Sequence, residues 1–328
     1  MMSKYDIYGL GAGLVDTEIE VDDAFLRTAG IEKGLMTLVD EARQIELMEH
    51  LKDRLVASKR ASGGSAANTV IGAAHFGAKN YYSCKLANDE NGDFYLADLL
   101  AANVDSDQGQ RNPGITGKCL VMITPDAERT MNTFLGSSET LATSDLNLEA
   151  LANAKYFYVE GYVVTSPTGR AAAIAGRQHA EQNAVKTALS LSDPGMVQFF
   201  KDGLKEMIGD GVDLLFCNKE EALGWTGSDN IEQAAERLKV DAKQFVITLG
   251  ADGALLFDGH NMISINGCEA DAIDTNGAGD MFAGAFLYAL TAGQGFEQAG
   301  LLASRSAAQV VSQFGPRLRP EQYAGLKD

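Results

Sequence analysis

The stretch Asp274-Thr275-Asn276-Gly277-Ala278-Gly279-Asp280, running directly into the apolar Met281-Phe282-Ala283, decides how the rest of the chain is read. Three small residues in a row let a backbone approach a ligand closely. The apolar run after them predicts a helix over 278–291, so their amides fall at a helix N-terminus, where unpaired donors and the helix dipole favour negative charge. The segment is a local anion cradle. Asp280, in the first helical turn, stands where a carboxylate can accept the proton of a hydroxyl attacking a bound phosphoryl group. As ordinary structure, Asp274 or Thr275 is an N-cap and the glycines pack tightly.

Upstream of this stretch the chain is rhythmic. Strands expected at 155–160, 187–191, 212–217 and 244–248 alternate with helices at 168–183, 196–208, 218–224 and 231–239, the pattern of βαβ units in a parallel sheet covered by helices. A hairpin is expected over 254–257 and 262–265, and a last helix over 296–313. Nearer the N-terminus, 5–11 reads as a strand running into a glycine turn. Short strands are expected within 17–40, an amphipathic helix from Glu41 to Ala57, a helix over 66–76 after a turn at Ser62 to Ser65, a strand over 81–86 and a helix over 94–101. Strands over 118–124 and 130–135 flank a turn-rich connector. The expected fold is one α/β domain spanning 1–328, a doubly wound, mostly parallel sheet flanked by helices, with a discontinuous β-sheet lid from about 17–40 and 115–136.

Composition sets bounds. With 328 residues, 45% hydrophobic, the chain buries a real core and is not disordered. Its net charge of −18 lacks the basic footprint for nucleic acid or anionic membrane, so a phosphate must be held by local chemistry. Cys84, Cys119, Cys217 and Cys268 are scattered, with no Cys-x-x-Cys pair, which suits a reducing compartment. No signal-like or membrane-length apolar run is seen, so a cytoplasmic protein is expected. Monomer and dimer stay equally open.

Asp-Thr-x-Gly-Ala-Gly-Asp resembles the C-terminal signature of the ribokinase-like (PfkB) carbohydrate and nucleoside kinases. Ser62-Gly63-Gly64-Ser65-Ala66-Ala67-Asn68-Thr69 is similar to the family's second signature. The resemblance spans nearly the whole chain, with its motifs in family order. It implies an ATP-dependent phosphotransferase in which Asp280 is the base and Gly277, Ala278 and Gly279 supply amides to the developing charge. Asp16, Gly63, Gly64 and Asn68 would hold a polyol acceptor; alternatively, Asp16 is a solvated loop carboxylate and Asn68 a surface polar residue. The family often has Asn where this chain has Ala12, a departure that bears on the substrate rather than the reaction.

On the nucleotide side, Asn218-Lys219-Glu220-Glu221 resembles the family's Asn-x-x-Glu motif, which implies Mg²⁺ held by Glu221 and, through water, Asn218; by spacing alone it is equally a helix cap. Thr248, Gly250, Gly253, Asn276 and Gly279 are implied ATP contacts, and Asp274 sits where relatives organise a monovalent cation such as K⁺. Arg129 aligns with an arginine that adenosine-kinase-like members bring onto the transferred group; a surface salt bridge is the bland alternative. That segment, Leu38-Val39-Asp40-Glu41 and the long first lid piece look more like the adenosine-kinase-like members than like ribokinase, which implies a nucleoside acceptor such as adenosine ahead of free ribose or fructose, and the absence of Lys or Arg within 62–69 argues against a phosphosugar. Two other classes of function fit less well. A nicotinamide-dependent dehydrogenase needs a glycine where Leu14 ends the Gly9-to-Gly13 run, and a noncatalytic nucleotide sensor has no use for Asp280.

Overall fold

Strands written Tyr156-Phe157-Tyr158-Val159 or Leu214-Leu215-Phe216-Cys217 carry apolar side chains on both faces and can only be satisfied between two layers of helices. The computed structural model, described for residues 3–52, 59–107, 109 and 111–327, builds that arrangement. The chain opens with β1 (Tyr5–Leu10), β2 (Leu14–Glu20), α1 (Asp23–Ala29), β3 (Met36–Leu38), α2 (Glu41–Leu51) and β4 (Lys59–Gly63). Then come α3 (Ser65–Phe76), β5 (Asn80–Ser83), α4 (Glu90–Ala101), β6 (Val104–Asp105), β7 (Thr116–Ile123), β8 (Arg129–Gly136) and α5 (Leu148–Ala152). The regular half follows as β9 (Ala154–Glu160), α6 (Pro167–Gln182), β10 (Lys186–Ser190), α7 (Pro194–Phe199), α8 (Lys201–Ile208), β11 (Val212–Asn218), α9 (Lys219–Thr226) and α10 (Ile231–Leu238). It closes with β12 (Ala242–Thr248), β13 (Ala254–Phe257), β14 (Met262–Ile265), α11 (Ala278–Thr291) and α12 (Phe296–Val311).

The large sheet runs β14-β13-β12-β11-β10-β9-β1-β5-β6 and is parallel except for the β12-β13-β14 meander. One core layer, including Val70, Phe76, Phe282 and Phe286, packs on one face; another, including Ala172, Leu204 and Trp225, packs on the other. Strand order reverses at β1, which pairs with β5 on one side and β9 on the other. A crevice opens beyond the strand ends at such a point, where ligands of doubly wound sheets bind.

The second sheet, β3-β8-β7-β2-β4, faces that crevice. One side is closed by α1 and α2 through Ile19, Leu26, Leu47, Leu51, Leu120 and Met122. Two of its parts depart from the sequence reading. Residues 23–29, expected as short strands, form a helix, because Asp22 caps its N-terminus by accepting from the Phe25 amide and Gly30 ends it at φ 66°. Residues 59–63, expected to lead into a turn, form an antiparallel edge strand on β2, with Asp16 opposite Ala61 and Leu14 opposite Gly63. Its sequence, Lys59-Arg60-Ala61-Ser62-Gly63, has no apolar alternation to announce it. The single helix expected over 196–208 breaks at Phe200, whose φ of −125° interrupts the helical path. The expected extension of α2 to Ala57 falls outside the described residues. No described helix is long and apolar enough to cross a membrane.

Candidate active site between the two sheets

The cavity between the sheets is floored by the N-terminus of α11. Gly277 caps that helix at φ 75°, and a Cβ there would lie 2.2 Å from the Pro316 carbonyl oxygen, so only glycine fits the turn. No side chain caps the helix, and among the described residues the amides of Gly279 and Asp280 find no acceptor. The cradle is therefore open. Asp280 stands beside it, its Oδ1 accepting from Ser65 Oγ at 2.6 Å and its Oδ2 from Asn68 Nδ2 at 3.0 Å. Burial raises its pKa, opposed by those two hydrogen bonds and by Arg129.

Across the cavity, Asp16 on β2 is buried but accepts no hydrogen bond from the described residues. Its pKa lies well above the usual carboxylate range because of burial and the neighbouring Glu18, with Arg317 pulling the other way. Gly63 is behind this carboxylate rather than in the cavity: a Cβ there would fall 2.0 Å from Asp16 Oδ1. Gly64 lines the cavity and caps α3 at φ 90°. Asn68, buried in α3, leaves its Oδ1 without a partner. The site thus holds a carboxylate and an amide oxygen that both need donors, as hydroxyls would provide. Leu14, Met36, Met131 and Leu135 of the small sheet and Leu141 and Val163 of the large domain add an apolar wall.

On the opposite flank, Asn218 and Glu221 line the cavity and also form a reciprocal cap at the start of α9. Glu221 Oε2 accepts from the Asn218 amide at 3.0 Å, and Asn218 Oδ1 accepts from the Glu221 amide at 2.8 Å. Burial pushes the Glu221 carboxyl up to about 7. Asn218, Thr248 and Gly250 border an adjoining open groove. Gly253 does not reach it; at φ 96° it packs against the Ile265 carbonyl, 2.0 Å from where a Cβ would stand, and shapes the turn. Asp274, fully buried, directs Oδ1 to the Asn276 amide and Oδ2 to the Gly315 amide, bracing the cradle loop. No group of three metal-ligating side chains occurs among the described residues, so Glu221 and Asn218 fit a divalent ion only as holders of its water shell.

Arg129 begins β8 and reaches into the cavity rather than forming a surface salt bridge. Its Nη1 donates to Asn276 Oδ1 at 3.4 Å. Burial works against its charge, and Tyr162, Asp280, Asp193 and Glu221 outweigh that cost. Asn276 Nδ2 meanwhile donates to Glu18 Oε1 at 3.0 Å, and Thr275 Oγ1 to the Ala127 carbonyl at 3.0 Å, so the cradle loop grips the small sheet at three points.

Two residues escaped the sequence reading. Ser65 lies inside the quoted glycine motif, three residues before Asn68 and hence on the same helix face, a spacing that could have exposed it. Glu160 ends a strongly apolar strand with a carboxylate, an anomaly visible in the sequence. It lines the cavity, and burial pushes its carboxyl up to about 7.

Residues 36–322 match the family described as pfkB family carbohydrate kinase. An adenosine kinase of Schizophyllum commune is 28% identical over 347 residues, covering 97% of this chain and 98% of that one. The structure of an adenosine kinase from Sinorhizobium meliloti is 31% identical with a TM-score of 0.93, covering 99% of this chain and 100% of that one. A probable sugar kinase protein from Rhizobium etli CFN 42 is 33% identical with a TM-score of 0.92 at the same coverage.

Proposed function

The chain belongs to the PfkB family of carbohydrate kinases, nucleoside and sugar phosphotransferases that act on hydroxyl groups, and from that premise we propose that it moves the γ-phosphoryl group of ATP to a primary hydroxyl of adenosine or a near relative. The observation that carries this reading is Asp280 beside two amides left open at the α11 N-terminus. Asp280 accepts the proton of the attacking hydroxyl while the open Gly279 and Asp280 amides and Arg129 meet the charge that develops on the transferred group, the Ala278 amide being engaged by the Thr275 carbonyl. Asp16 and Asn68 Oδ1 orient the acceptor through its hydroxyls. Bound Mg²⁺ supplies charge neutralisation at the phosphates, with Asn218 and Glu221 orienting its waters.

The apolar wall of Met36, Met131, Leu135 and Val163 supports an acceptor that carries a base as well as a sugar, and the adenosine kinases among the relatives agree with it. An assay of nucleosides and free sugars with ATP and Mg²⁺ tests the reading, with adenosine expected to outpace ribose and fructose. Turnover of ribose or fructose with no nucleoside phosphorylated would make this a free-sugar kinase, the reading favoured by its likeness to the Rhizobium etli protein.

A further inference from the structure

Glu160 ends β9 at the reversal of strand order and is 1% exposed. Its two oxygens serve two different segments: Oε1 accepts from the Ala12 amide at 2.8 Å and Oε2 from the Ala66 amide at 2.7 Å. Ala12 belongs to the loop that leads from β1 to Asp16. Ala66 is in the first turn of α3, a helix whose own N-cap, Gly64, has no side chain to offer. Glu160 therefore caps α3 from a distance, and α3 in turn carries Ser65 and Asn68, both donors to Asp280. The chain keeps room for it, since a Cβ on Gly11 would lie 2.6 Å from Glu160 Oε2 and 2.8 Å from the Tyr82 hydroxyl.

We propose that Glu160 is a positioning residue for phosphoryl transfer, holding the Asp16 loop and the α3 N-terminus in one geometry so that acceptor grip and base alignment are set together. The inference rests on the kinase reading. Both oxygens are engaged by backbone amides, so Glu160 acts through its neighbours and not on the reacting atoms. Only the ionised carboxylate accepts from both amides in full strength. The titratable groups facing it are Asp280 on α11, Asp16 on β2, Tyr82 on β5, Tyr95 on α4 and Tyr158 on β9, none of them cationic. Burial raises its carboxyl, the two amides pull it back, and Asp280 adds to the rise. The strut is thus half-formed near pH 7, strengthens above it and weakens below it.

The test is steady-state kinetics of Glu160→Gln, Glu160→Asp and Gly11→Ala with the acceptor that the wild type prefers, varying each substrate in turn. Glu160→Gln and Gly11→Ala are each expected to lower kcat/KM for the acceptor by about thirtyfold while KM for ATP moves less than about twofold. Glu160→Asp should recover part of the loss. Values within about threefold of wild type in both Glu160→Gln and Gly11→Ala overturn the proposal, as does a rise in KM for ATP as large as the rise in KM for the acceptor, the mark of general destabilisation. An active wild type with indifferent variants defeats the Glu160 role alone; a wild type that phosphorylates no nucleoside or sugar defeats the kinase reading and this role with it.

Discussion

Asn68 Nδ2 lies 3.0 Å from Asp280 Oδ2, a hydrogen bond across 212 residues of chain that joins the helix after the paired glycines to the helix that opens the anion cradle. The N-terminal turns of α3 and α11 are therefore tied into one assembly. Asn68 Oδ1 has no partner, so in the proposed reaction a single side chain would link the acceptor to its base.

Asp280→Asn keeps the shape and a hydrogen-bond acceptor but cannot take up the proton. We expect kcat to fall by about 10²- to 10⁴-fold with ATP affinity, measured by calorimetric titration, changed only a few-fold. A kcat within about tenfold of wild type would remove Asp280 as general base.

Ser65→Ala deletes the 2.6 Å hydrogen bond to Asp280 Oδ1. That bond favours the ionised carboxylate and opposes the effect of burial, so its loss lets the Asp280 pKa climb further. The base works in its ionised form, and the acid limb of the kcat–pH profile should move to higher pH, with alkaline-side kcat largely retained. An unmoved limb would mean that Ser65 does not tune the base.

Gly63→Ala would put a Cβ 2.0 Å from Asp16 Oδ1 and push that carboxylate aside. KM for the acceptor should rise by about tenfold or more while KM for ATP is spared, because the cradle lies on another element. Equal effects on both substrates would argue against Asp16 as an acceptor contact.

Glu160 and Glu221 have carboxyls raised from 4.5 to about 7 in the folded protein. A group whose pKa is raised on folding contributes stability that is full below its unfolded value and lost as pH rises through its folded value. Asp16, Asp193 and Asp280 are raised as well and act in the same direction. The ligand-free protein should therefore melt at a higher temperature near pH 5.5 than near pH 8, and Glu221→Gln should flatten part of that slope. A melting temperature that climbs steadily toward pH 8 would contradict the burial of these carboxyls.

Much of the large sheet was legible because its signals are local. The runs around 156–159 and 214–217 are apolar on both faces, and Gly277 to Asp280 announce a helix end by residue type alone. The small sheet was harder to read. β4 is five residues of mixed polarity that become a strand only because β2 lies beside them, and α1 depends on a cap at Asp22 and a left-handed Gly30 rather than on a long periodic face.

Within the site, the same division holds. The placement of Asp280 beside the cradle glycines at a helix N-terminus was legible in the sequence because helix-end amides and an adjacent carboxylate are neighbours along the chain. Glu160 could not, since its meaning comes from the Ala12 and Ala66 amides, 148 and 94 residues away. Nor could the grip of Asn276 on Glu18, across 258 residues, or the retreat of Gly253 behind its turn. Residue type and spacing determined which chemical groups this protein possesses. Only the packed sheets decided which buried acceptors met donors and which were left open for a ligand, because a hydrogen bond is made or lost by the distance between atoms and not by their separation in sequence.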